Sequence, residues 1–138
     1  MQGVKQLLIV VVMIAVGMVW LLPAPRAEEF TKEDLARWEQ EFLAVVIEGE
    51  KSFHSSKLGT NTVSCDQCHP NAANTHPETY PKFQKQIGKV ASLFEMINWC
   101  IQNPLEGKPL AADDPIMTAL QAYITHERRG VKLSPGKH

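Results

Sequence analysis

Residues 65–69 read Cys65-Asp66-Gln67-Cys68-His69, and this stretch decides how the rest of the 138-residue chain is read. Two cysteines three positions apart lie one helical turn from each other, and a histidine follows directly. This is the attachment pentapeptide of c-type haem. Each thiol can add across one vinyl group on adjacent pyrrole edges, and the next residue brings an imidazole under the iron as proximal ligand. One covalent haem c, held through Cys65, Cys68 and His69, is the expected cofactor. A Cys65–Cys68 disulfide, a thioredoxin-like redox pair and half of a zinc site are the rival readings. A redox pair is expected near a βαβ pattern, and a zinc site wants a second Cys or His pair at matched spacing. The sequence has neither.

Working outward, Phe83, Ile87, Val90, Phe94, Ile97 and Ile101 recur at helical spacing before Asn103-Pro104, which predicts one long helix with Cys100 bordering its apolar stripe. Asp114 as cap and Pro115 in the first turn predict a last helix whose apolar face is Ile116, Leu120, Tyr123 and Ile124, stopped by Gly130. On the other side of the motif, His54 to Ser64 is polar and reads as a loop. Before it, Thr31 as cap and Phe30 stapling against Leu35 start a helix carrying Leu35, Trp38, Phe42, Val45 and Val46, which runs to Gly49 or through Phe53. No segment alternates apolar and polar residues, so an all-α domain with long loops is expected over residues 28–138, with 131–138 as a flexible tail. A haem lets so small a domain carry long loops, because the macrocycle supplies much of the apolar core.

Lys5 precedes an apolar run over residues 7–22 and then Pro23-Ala24-Pro25-Arg26-Ala27, the layout of a secretory signal. Residues 1–27 are read as a hydrophobic helix that is either a cleaved signal peptide or an uncleaved membrane anchor. The positions third-last before a cut are Pro25 and Leu22, which disfavours cleavage, whereas the run falls short of the roughly 20 residues that span a bilayer. Lys5 is expected on the cytoplasmic side and the domain in the periplasm, soluble or anchored to the inner membrane. Beyond residue 27, 12 Lys and Arg face 15 Asp and Glu, which gives no reason to expect nucleic-acid binding.

The sixth iron ligand stays open on residues alone. Cys100 is an odd cysteine in an exported chain, so it pairs, stays buried or binds something. Met96 precedes it by one turn, Met117 begins the last helix, and His54, His76 and His126 complete the candidates. The choice bears on function, since a thioether ligand raises the potential and a thiolate, which stabilises ferric iron, lowers it.

The Gly49-x-x-x-Phe53 element, the attachment motif and a final helix with Leu120-x-x-Tyr123-Ile124 resemble a class I cytochrome c domain, where first and last helices cross. With Tyr80-Pro81, Ile97-Asn98-Trp99-Cys100 and Gly107-Lys108-Pro109-Leu110 added, residues 49–130 are similar to the haem domains of thiosulfate dehydrogenases and of the SoxA subunit. The resemblance implies His69/Cys100 ligation, with Met117 and Met96 as alternatives. It departs at Met96, where the family has Arg, and a thioether does not pair with anionic thiosulfate. The expected function is electron transfer in a respiratory or sulfur-oxidation chain, with redox proteins as partners and membrane association through residues 7–22. The alternative is a haem-bearing oxidoreductase subunit acting on thiosulfate or related sulfur compounds. Lys82, Lys85 and Lys89 read as a solvated face or a docking patch for an acidic partner.

Overall fold

This computed structural model describes residues 29–133. The chain divides into two units, 1–32 and 33–138, and the fold set out below is that of the second. The apolar run at residues 7–22 lies outside the described residues, as does most of the tail. Among the described residues no helix is long and apolar enough to cross a membrane. Helix α1 spans Lys32–Phe53, α2 is the single turn Cys65–Cys68, α3 is Leu93–Gln102 and α4 is Pro115–Glu127. Short 3-10 turns lie at Ser56–Leu58, Pro70–Ala72 and Pro77–Thr79, and two strands, β1 Lys82–Gln84 and β2 Lys89–Ala91, form an antiparallel hairpin.

The first and last helices cross at Gly49. A Cβ there would stand 2.0 Å from the Ala119 carbonyl oxygen and 2.7 Å from Tyr123 Cβ. Only glycine, which has no Cβ, lets the two backbones approach this closely. One turn on, the rings of Phe53 and Tyr123 meet at 5.1 Å between centroids, in a tilted pairing. The core continues through Val46, Ile97, Ile101, Met117, Leu120 and Ile124. The early half of α1 departs from expectation. Leu35, Trp38 and Val45 are exposed, Phe42 is partly buried against the core as expected, and full burial begins at Val46.

Residues 83–101 are not one helix, and the fold is mostly helical rather than wholly so. Phe83 and Val90, seven apart, satisfy helical spacing, yet they stand opposite each other across the hairpin. The turn between the strands closes with Gly88 at φ 77°. That is a left-handed conformation, which suits glycine. The deciding signal is Ser92-x-x-Glu95, a capping box that starts α3 afresh. The Ser92 hydroxyl accepts the Glu95 N–H at 3.2 Å, and the Glu95 carboxylate accepts the Ser92 N–H at 2.8 Å. Lys89 at 2.6 Å, then the Ser92 N–H and the Ser92 hydroxyl donating to the carboxylate at 3.1 Å, hold the Glu95 carboxyl pKa down to about 2. In α4 the cap is as expected, with the Asp114 carboxylate accepting the Ile116 N–H at 2.8 Å. Its inner face, however, holds Met117 in place of Ile116, which is 41% exposed.

The long loops are stitched to each other. Thr60 donates its N–H to the Leu105 carbonyl at 3.0 Å, and Asn61 Nδ2 donates to the Pro104 carbonyl at 2.6 Å. Gly59 lies so close to Leu105 that an added Cβ would fall 1.8 Å from its carbonyl oxygen.

Candidate haem site

The pentapeptide folds as α2, and the chain around it fixes its orientation. Ser64 Oγ donates to the Asp66 carboxylate at 2.6 Å, and His54 Nδ1 stands 3.2 Å from the other carboxylate oxygen. The Ser64 hydroxyl chiefly, and His54 after it, hold the Asp66 carboxyl below its usual range. This ties α2 to the end of α1, where His54 sits beside the Phe53 and Tyr123 rings. His54 is thereby a support for the motif, and it does not line the cleft described next.

Directly after α2, His69 Nδ1 lies 2.8 Å from the Ala73 carbonyl oxygen. A carbonyl only accepts, so Nδ1 carries the proton and Nε2 keeps its lone pair bare for a metal. Cys65, Cys68 and His69 open together onto one cleft of about 410 Å³. Small-molecule sites run from roughly 300 to roughly 1,000 Å³, so the cleft is of ligand size. Phe53, Leu93, Ile97, Leu120 and Ile124 make its apolar wall, and Lys82, Gln84 and Gln86 of the hairpin give it a polar edge. A haem has that same division, an apolar macrocycle with two carboxylates at one edge. The thiols, the bare imidazole nitrogen and the divided lining therefore fit the group. Among the described residues no three His, Cys, Asp or Glu side chains gather closely enough to hold a metal ion by themselves.

The open question of the sixth ligand narrows by position. Met96, Cys100 and His76 line the cleft. Met117 does not; it is fully buried in the core. His126 is also elsewhere, 6.2 Å from the Phe42 ring and 3.4 Å from Glu127. Burial pushes the Cys65 thiol pKa up to about 12, and the nearby Cys100 adds to it. Burial likewise raises the Cys100 thiol to about 11, with Cys68 contributing. Cys65 and Cys100 thus share a neighbourhood that disfavours charge.

Helix α3 is held in place through Asn98, which is only 7% exposed. Its Nδ2 donates to the Leu110 carbonyl at 2.9 Å, and its Oδ1 accepts the Leu110 N–H at 2.8 Å. This two-sided clamp fixes the helix two residues before Cys100. Replacing Asn98 by Ala unpairs both backbone groups and is expected to cost about 2 kcal/mol in urea unfolding of the haem-loaded protein. A loss of only a few tenths would show that the clamp is incidental.

The model of the family described as SoxA/TsdA, cytochrome c domain, matches residues 48–133. The chain belongs to this family. A SoxA/TsdA cytochrome c domain carries covalently bound haem c, typically one. The matched segment starts just before Gly49 and ends after α4, so it contains the crossing point of the two helices and every cleft residue named above. Similar curated proteins are the thiosulfate dehydrogenases of Psychrobacter arcticus and Stutzerimonas stutzeri, each 30% identical over 63% and 61% of this chain. That of Allochromatium vinosum is 27% identical over 53% of it. The matches cover 31%, 29% and 32% of those proteins, so the chain spans about a third of their length. No solved structure matches the chain. Sequence reasoning names the cleft's sulfur and imidazole groups but misses Ala73, Ser64 and the polar edge on the hairpin. The first acts through a backbone carbonyl, which no side-chain pattern announces.

Proposed function

We propose that this chain is an exported monohaem electron carrier of a respiratory or sulfur-oxidation chain. In this reading Cys65 and Cys68 would hold its haem covalently, and His69 and Cys100 would ligate the iron. The observation that carries it is the convergence of Cys65, Cys68, His69 and Cys100 on one cleft, with His69 Nε2 left bare by the bond to Ala73. The haem supplies the one-electron ferric/ferrous couple. The chain's own residues do the rest. Ala73 holds the orientation of His69, Asn98 fixes α3 and with it Cys100, and the apolar wall would exclude water from the bound group and so tune its potential. The periplasmic location rests on Lys5 and the apolar run at residues 7–22.

A second reading, turnover of thiosulfate or a related anion, draws on the names of the relatives. Within the cleft, Lys82 supplies a cation, while Met96 supplies a neutral thioether. The two readings separate in one experiment. The ferric holoprotein, mixed with thiosulfate, sulfite or sulfide in a stopped-flow spectrometer, is expected to stay ferric, and to exchange electrons rapidly with a second small cytochrome. Haem reduction by any of these anions at a catalytic rate would replace the carrier reading with the enzymatic one. Protein from cells with intact haem maturation that lacks a Soret band and has the mass of the bare chain would end both.

A further inference from the structure

The hairpin turns two different faces to its surroundings. Lys82 and Gln84, on one side, line the haem cleft, and Ala91, opposite Lys82, is buried. The other side carries Phe83 directly opposite Val90, and these remain 66% and 62% exposed. Single exposed apolar residues are ordinary, but an aligned aromatic and β-branched pair at the lip of a cofactor cleft is a concentrated patch. Its neighbourhood is basic. Residues 82–91 contain Lys82, Lys85 and Lys89 and no carboxylate, although the whole chain carries a net charge of −1. Glu95 offsets Lys89 at 2.6 Å, which leaves the hairpin positive.

We propose that the outer face of the β1–β2 hairpin, Phe83 and Val90 with Lys85 beside them, is the docking face for a one-electron redox protein whose own surface has an apolar centre bordered by carboxylates. The proposal rests on the electron-carrier reading. Successive side chains of a strand point to opposite faces, so a partner seated on Phe83 and Val90 lies across the thickness of the hairpin from the cleft that Lys82 and Gln84 line. Electron transfer needs that short reach and little contact area, and transient redox interfaces are correspondingly small. Phe83 supplies the rigid aromatic anchor, and the lysines steer encounter and fix orientation.

The test uses the haem-loaded protein on gold electrodes coated with a mixed monolayer of methyl-terminated and carboxylate-terminated thiols. The Phe83→Thr/Val90→Thr double variant, which keeps strand-forming side chains, is expected to lose about tenfold in electron-transfer rate, the size of removing one good anchor. Its Soret band and midpoint potential should not move. Lys85→Glu is expected to slow transfer at low ionic strength and to approach wild type as salt screens the contact. If the double variant shifts the Soret band, Lys85→Glu in the exposed turn decides the matter alone. Wild-type rates in every variant would overturn the docking face while leaving the carrier reading intact. A wild-type protein with no electrode response at all would remove the carrier reading and this inference together. Self-association in the ultracentrifuge, or binding to anionic vesicles, abolished by the same substitutions, would assign the face to a second copy or to a membrane and overturn the proposal.

Discussion

Replacing Cys100 by Ala is expected to raise the midpoint potential by about a quarter of the roughly 0.8 V range that axial ligands command. A thiolate is an anion bound to iron, so its loss removes a preference for the ferric state. The thiolate charge-transfer absorption and the low-spin resonance of the ferric protein should vanish together. At neutral pH a thiol raised to about 11 is protonated, so only a bound metal that displaces the proton makes Cys100 a ligand. Met117→Ala provides the contrast. Its side chain is wholly buried and packs in the core outside the cleft. Truncation there should cost about 2–5 kcal/mol in stability while leaving the spectrum alone. Spectral change in the Met117 variant with none in the Cys100 variant would make the His69/Cys100 assignment untenable. A shift confined to Met96→Ala would instead move the ligand one turn along α3.

Gly49→Ala is expected to destabilise the protein by about 3 kcal/mol or more, despite placing a better helix former within α1. Helix propensity alone favours the change by about 1 kcal/mol. The contact opposes it more strongly. The new methyl would stand 2.0 Å from the Ala119 carbonyl oxygen, 2.7 Å from its carbon and 2.7 Å from Tyr123 Cβ, all of them backbone or side-chain roots with no freedom to yield. Overpacking costs about 1–3 kcal/mol even where side chains can move, and here two helices must separate. Since one kcal/mol shifts the melting temperature of a domain this size by about 4–8 °C, a fall of about 10 °C or more is anticipated in a calorimetric scan. Gly130→Ala is the control, because nothing lies within 4 Å of its added Cβ and only its φ of 75° is strained. A Gly49 variant melting at or above the wild-type temperature would mean that the helices do not meet there.

The attachment motif is legible because its chemistry is local. Two thiols and an imidazole must fall at the first, fourth and fifth of five consecutive positions, and no distant residue alters that requirement. The capping of α4 by Asp114 and the crossing of first and last helices are likewise readable, the former from a cap and proline, the latter from a resemblance carried by Gly49 and Phe53. Residues 83–101 mislead for a definite reason. Positions seven apart fall on one face of a helix, but they also fall opposite one another in a hairpin with a four-residue turn, and periodicity cannot distinguish the two. Gly88 and the Ser92-x-x-Glu95 box carry the information that does.

From sequence alone came the covalent cofactor and the expectation that His69 is its proximal ligand, since both depend on neighbours along the chain. Tertiary structure was needed to bring Cys100 and Met96 to the same cleft and to carry Met117 and His54 away from it, to freeze His69 through the Ala73 carbonyl, and to leave Phe83 and Val90 facing water. Those outcomes depend on which surfaces meet after helices cross and loops are stitched together. Contacts between residues tens of positions apart follow from shape and burial across the whole domain, and these are properties that no short window of residues contains.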